Sequence, residues 1–231
     1  MRQLPLGVTL PLAARFETFI SGDNAACVAA LEAQAAGAGL PVVWVAGAPG
    51  TGRTHLLQAA CARAGARGRR AACLPAASLL ELGPDALEGF EMLDLACLDD
   101  VDRMLGDPRW ERRLFSLFNA LTERGSLVFA ASGPPGAFAI GLPDLASRLR
   151  AAAVFRLVPL DEARQAEALE ARARHRGIEL PAESLQYLLR RAPRDFPTLC
   201  RILDELDVAQ LAAQRRLTIP LVRETLERRG L

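Results

Sequence analysis

The sequence predicts an α/β fold: a five-stranded parallel sheet between helices, followed by a small all-helical domain. Three observations carry that reading. A β-branched apolar run, "VVWVA" (42–46), leads through a glycine-rich loop into an amphipathic helix. Four further short apolar runs alternate with helical segments, the pattern of a parallel sheet covered on both faces. After Pro159 every periodic segment is helical. The organisation expected is a tail over 1–15, an α/β nucleotide-binding domain over 16–158 and a helical lid over 159–231.

Taken in order, 1–15 is punctuated by proline and has no sustained period. An alanine-rich helix runs from Asp23 to about Ala36 and is closed by "GAG". The first strand is 42–46, and "THLLQAACARA" forms the helix after the loop, stopped by Gly65 and Gly68. "RAACL" (70–74) and "LDLACL" (93–98) read as the second and third strands. "WERRLFSLFNALTERG" carries Leu114, Leu117, Phe118 and Leu121 on one face, with Gly125 as its stop. "SLVFAA" (126–131) and "AVFRL" (153–157) complete the strands. Four lid helices are expected at 161–176, 181–191, 196–213 and 218–229, each with a proline near its start.

Composition narrows the classes. The 231 residues carry a formal net charge of +1, which argues against a general attraction to nucleic acid or membrane. No apolar stretch is long enough to span a bilayer, and the N-terminus lacks the pattern of a secretory signal. Cys27, Cys61, Cys73, Cys97 and Cys200 stand singly in apolar surroundings, which predicts buried thiols in a reducing cytoplasm. Trp44 and Trp110 read as packing residues. All 28 basic residues are arginine, a bias that accounts for most of them. It accounts less well for Arg53, because the two cations are not interchangeable between phosphates.

"GAPGTGRT" (47–54) has the spacing of a phosphate-binding loop, with Arg53 in the lysine slot. Glycines let backbone N–H groups turn inward, and the next helix aims its positive end at the same place. Gly47, Pro49, Gly50, Thr51, Gly52, Arg53, Thr54 and His55 are therefore candidate nucleotide-binding residues, with Thr54 offering a hydroxyl to Mg²⁺. Asp99 and Asp100 end an apolar strand, at the sheet edge where ligands collect. Asp99 is placed to share the Mg²⁺, and Asp100 to orient an attacking water. As an alternative, these acids cap the next turn.

The phosphate loop, "CLDDVD", a strand ending "ASGPP", "LPDLASRLR" and a helical lid together resemble AAA+ proteins of the DnaA branch. "GRTHLLQAAC", "GLPDLASRL" and "LTIP" resemble the Hda regulators within that branch, from about Phe16 to the end. The resemblance implies bound ADP or ATP with Mg²⁺, and an arginine in the lysine slot is also Hda-like. It implies that Phe19, Ile20 and Asn24 line the nucleotide base, that Ser132 holds the sensor-1 position and that Arg194 holds the sensor-2 position. It makes Arg148 an arginine finger that acts in trans on a neighbouring subunit's nucleotide. "QLPLGV" (3–8) resembles a peptide that docks on the DNA polymerase sliding clamp, with Gln3, Leu4, Leu6 and Val8 as contacts.

The function implied is that of an ADP-preferring regulator that docks on the clamp and stimulates hydrolysis of DnaA-bound ATP. Its own ATPase would be weak. The initiator's helix-turn-helix has no counterpart after the lid, so no sequence-specific DNA binding is expected; self-association stays open. A self-sufficient AAA+ ATPase, such as a replicative helicase loader, is the competing reading and has to explain Arg53. A small-molecule kinase would need an acceptor pocket and lid arginines before residue 158, which the sequence does not supply.

Overall fold

The computed structural model describes residues 14–193, 195–213 and 216–231, with only the backbone for the last two residues before 214. Gln3, Leu4, Leu6, Val8 and Arg194 lie outside the described residues. A 3₁₀ turn at Gly22–Asn24 precedes helix α1 (Ala25–Ala36), so the helix starts two residues later than the sequence suggested. There follow β1 (Val42–Ala46), α2 (Arg53–Gly65), β2 (Ala71–Pro75), α3 (Ala76–Leu82), β3 (Leu95–Asp99) and α4 (Pro108–Thr122). β4 (Ser126–Ala131), α5 (Pro143–Arg150) and β5 (Ala153–Arg156) complete the sheet.

The five strands are all parallel, in the order β2-β3-β4-β1-β5. β1, β3 and β4 are buried along their whole length, the reason each reads as an unbroken apolar run. The pleat divides β1 between two cores. Val42, Trp44 and Ala46 face one with Leu98, Phe129 and Leu114, while Val43 and Val45 face the other with Leu31, Leu56 and Leu57. Trp44 is fully buried and its indole N–H donates to Gly133 O at 2.9 Å; Trp110 is buried in the same core. Both tryptophans therefore pack, as their sequence context suggests.

Local chemistry shifts several boundaries. Asp107 caps α4, its carboxylate accepting from Arg109 N at 2.8 Å, with Pro108 in the first turn. That starts the helix two residues before Trp110. β3 begins at Leu95 because the Asp94 carboxylate turns back to accept from Arg70 N at 2.7 Å. Two short helices, α3 and α5, were not anticipated as elements. Cys27, Cys61, Cys73 and Cys97 are buried and Cys200 is half-buried. Burial pushes the Cys27 thiol up to about 12 and Cys200 to about 11, so neither is a ready nucleophile.

Beyond β5 all described elements are helical: α6 (Glu162–His175), α7 (Ala182–Arg191), α8 (Phe196–Ala213) and α9 (Ile219–Arg228). They enclose a separate core around Leu169, Leu188, Ile202, Leu206 and Val222. The Asn24 amide fastens this lid to the sheet domain, accepting from Val158 N at 2.8 Å and donating to Val158 O at 3.0 Å. Arg164 of α6 adds an ion pair to Asp23 at 3.2 Å. Among the described residues no helix is long and apolar enough to cross a membrane.

Candidate nucleotide site

The loop between β1 and α2 is shaped by close approach. Gly50 and Gly52 have φ of +85° and +93°, a region costly for any residue with a Cβ. A Cβ on Gly52 would lie 2.5 Å from the Phe19 ring, and one on Gly50 would lie 2.6 Å from Pro197 of the lid. The loop is thus pressed between the 15–20 segment and α8. Gly47 is buried and its N–H donates to Ala131 O at 3.1 Å, whereas Pro49 is exposed at the apex. The Thr51 hydroxyl closes the turn by donating to Ala48 O at 2.9 Å, so it serves the loop rather than pointing outward.

At the start of α2, two side chains meet the acidic end of β3. Thr54 Oγ1 donates to Asp99 Oδ2 at 2.5 Å. Asp99 is buried, and burial raises its carboxyl above the usual range, opposed mainly by the Thr54 hydrogen bond. The Arg53 guanidinium donates through Nη2 to Asp100 Oδ1 at 2.8 Å, while its Nη1 is buried without a partner. Asp100 has φ of +54°, an unusual conformation for a non-glycine residue, and its N–H donates to Asp99 Oδ1 at 3.1 Å.

These groups fit a nucleotide with magnesium. The glycine cradle leaves no room for Cβ atoms, the buried guanidinium nitrogen calls for an anion, and a hydroxyl beside a buried carboxylate is a hard-oxygen pair suited to Mg²⁺. The loop opens on a cavity closed on three sides. Gly50, Thr51, Gly52 and His55 form one wall, Thr18, Phe19 and Ile20 a second, and Leu160, Ala168, Arg172, His175, Phe196 and Cys200 the lid wall.

Several candidates fall elsewhere. Asn24 does not line the cavity, because both sides of its amide are spent on Val158. This corrects its placement against the base. His55 lines the cavity, but its Nε2 is 2.9 Å from Arg15 O and its ring packs on Phe19. Burial lowers the His55 pKa, so the imidazole is a neutral fastener between α2 and the 15–20 segment. Ser132 donates to Asp102 Oδ2 at 2.6 Å, tying the end of β4 to the turn after β3. Arg148 stands exposed on α5, away from the cavity, with its guanidinium 4.8 Å over the Phe115 ring and a hydrogen bond to Asn119.

The lid wall escaped the sequence reading altogether. Arg172 lies on an ordinary polar amphipathic helix, and nothing in its spacing marks it. Only the docking of the lid brings it to the cavity, where Asp204 accepts from its Nη2 at 3.1 Å.

Residues 161–226 match the family described as the lid domain of Hda. The whole chain is similar to solved structures. Against domain III of the replication initiation protein DnaA from Thermotoga maritima the TM-score is 0.79 at 23% identity, covering 93% of this chain and 95% of that one. Against AMPPCP-bound DnaA from Aquifex aeolicus it is 0.68 at 24% identity, covering 86% and 66%. The RuvB branch-migration motor of Thermotoga maritima follows at 0.65 and 16% identity, covering 90% and 69%.

Sheet order, glycine loop and helical lid give the chain an AAA+-type P-loop fold. The C-terminal helices thus match the Hda lid family, and the chain as a whole shares its fold with DnaA domain III.

Proposed function

We propose that this protein is a cytoplasmic, ADP-preferring regulator that docks on the DNA polymerase sliding clamp and stimulates hydrolysis of ATP held by DnaA, limiting re-initiation of chromosome replication. The observation that carries the reading is the division of labour between two arginines. Arg53 is turned inward onto Asp100, whereas Arg148 stands exposed on a separate helix. Ion-pairing takes up the second acid of the chain's own site, the one that would orient a water. That favours holding nucleotide over hydrolysing it.

In this reading Gly50 and Gly52 cradle the phosphates through backbone N–H groups, Gly47 and Thr51 hold the turn that presents them, and Arg53 grips phosphate oxygens with its planar fork. Thr54 and Asp99 hold Mg²⁺, which supplies charge neutralisation between the phosphates when bound. Phe19 and Ile20 cover the base, Arg194 contacts the phosphate end, and Ser132 holds the turn after β3 through Asp102. Arg148 is presented to the initiator's ATP, where an arginine finger in trans is worth about 10³ to 10⁵ in rate. Gln3, Leu4, Leu6 and Val8 dock on the clamp as an extended peptide that buries its apolar side chains.

The test loads a DnaA-type initiator with radiolabelled ATP and adds the ADP-bound protein with clamp on DNA. Acceleration of ATP conversion that vanishes in Arg148→Ala and without clamp supports the proposal. Turnover of free ATP by the protein alone, with no effect on the initiator, replaces it with the helicase-loader reading.

A further inference from the structure

One buried carboxylate far from the nucleotide loop connects two stretches that would otherwise be independent. Glu111, in the first turn of α4, is 1% exposed. It accepts three backbone hydrogen bonds: Gly106 N at 2.8 Å and Gly141 N at 3.0 Å on Oε1, and Leu142 N at 2.8 Å on Oε2. Gly106 lies in the turn that follows β3 and its two aspartates. Gly141 and Leu142 immediately precede α5, with Leu142 as its N-cap.

That arrangement matters because α5 has no cap of its own. No side chain of the N-cap residue accepts a hydrogen bond, and Pro143 at the first position has no N–H. The start of the helix is fixed from outside, by a carboxylate some 30 residues earlier in the chain. Its negative charge also suits the positive end of α5. A Cβ on Gly141 would sit 3.3 Å from Glu111 Oε2, so the carboxylate is in close contact with the backbone it holds. The same helix α4 meets α5 again further along, where Arg148 lies over the rings of Phe115 and Phe118.

We propose that Glu111 is a positioning residue for Arg148: by accepting from Gly106, Gly141 and Leu142 it sets the origin of α5, and through it where the exposed guanidinium is presented. This inference rests on the finger role of Arg148 proposed above. Glu111 does not line the chain's own nucleotide cavity. It acts through rigid backbone, and misplacing a catalytic group by about 1 Å costs up to roughly 100-fold in rate.

The experiment titrates full-length wild type, Arg148→Ala, Glu111→Gln and Gly141→Ala against initiator-bound radiolabelled ATP with DNA-loaded clamp, and measures ADP binding to each protein. In Glu111→Gln an amide N–H₂ replaces one acceptor and faces backbone donors. The expected result is a plateau rate about tenfold or more below wild type, with unchanged ADP affinity and stoichiometry. Gly141→Ala displaces the carboxylate by a few tenths of an ångström and lowers the plateau less.

A merely structural loss behaves differently. A smaller folded fraction raises the half-saturating concentration and lowers ADP stoichiometry while leaving the plateau in place. That outcome, or a wild-type plateau in both variants, overturns the role of Glu111 and leaves the finger standing. If Glu111→Gln does not fold, the Gly141→Ala plateau decides. A wild type indistinguishable from Arg148→Ala removes the finger reading, and this inference with it.

Discussion

Arg53 Nη2 donates to Asp100 Oδ1 at 2.8 Å, with the arginine side chain 10% exposed and the aspartate 43%. The pair joins the first residue of α2 to the residue after β3, at the mouth of the glycine loop. Asp100 is held in a left-handed conformation, φ +54°, that few non-glycine residues adopt.

Replacing the guanidinium by an ammonium should release this arrangement. A lysine cannot grip two oxygens in a planar fork, but it fits between phosphates as a compact charge. Arg53→Lys is expected to shift the preference towards ATP and to raise intrinsic hydrolysis by about tenfold, or ~1.4 kcal/mol in barrier. Calorimetric titration with ADP and ATP, together with single-turnover hydrolysis, measures both. Unchanged preference and rate would mean that the ion pair does not restrain the site.

Asp99 is a liability for stability. Its folded pKa is raised above 3.8, chiefly by burial, so the stability linked to this group is complete only below 3.8 and is lost as pH rises through the folded value. At neutral pH the buried carboxylate destabilises the nucleotide-free protein. Asp99→Asn keeps an oxygen for Thr54 and removes the charge. It should raise Tm near pH 7, by roughly 2–4 °C for each kcal/mol relieved, with the gain vanishing as pH falls towards 4. Added Mg²⁺ with ADP should narrow the difference, since only the carboxylate serves the cation. Thermal melts from pH 4 to 8 with and without ligand test it.

How far the sequence carries is clearest at particular residues. β1 and the glycine loop are legible because a strand buried on both faces must be apolar at every position, and because only glycine adopts φ near +90° against the Phe19 ring. α5 is not legible as an element: eight residues long, it depends on Glu111 for its start and on the packing of Leu145 and Leu149. The Arg172 wall and the fastening role of Asn24 are invisible for another reason. Both arise from the placement of the lid, which rests on contacts between residues as far apart as Asn24 and Val158. His55 is a middle case, marked by its neighbours in the loop while its actual partner, Arg15 O, lies 40 positions away.

Gly52→Ala meets two obstacles at once. Its φ of +93° disfavours any L side chain, and the new methyl group would lie 2.5 Å from Phe19 Cε2. The backbone term alone is about 1–2 kcal/mol, and the ring has to move as well. A fall in Tm of about 4–8 °C is expected, with ADP affinity reduced because Phe19 forms a cavity wall. A normal melt with normal affinity would show that the loop tolerates a Cβ and is less tightly held than its contacts imply.

The entry to the lid is held by one amide used in both directions. Asn24 is 3% exposed and satisfies the N–H and the C=O of Val158, the last residues before the chain enters the lid. Asn24→Ala leaves both backbone groups without their partner. Val158 itself is 46% exposed, so water reaches part of this segment and the cost falls at the low end of the usual ~1–3 kcal/mol per orphaned group. The neighbouring tie, Arg164 to Asp23, joins two exposed side chains and adds little rigidity. The loss should therefore appear less as global unfolding than as freedom of the lid. Amide exchange of residues 158–162 should quicken, and ADP affinity should fall several-fold although Asn24 touches no part of the cavity. Inorganic pyrophosphate draws most of its contacts from the loop between β1 and α2, so it should lose clearly less affinity than ADP. Equal losses for ADP and pyrophosphate would place the defect in the phosphate loop and refute the hinge.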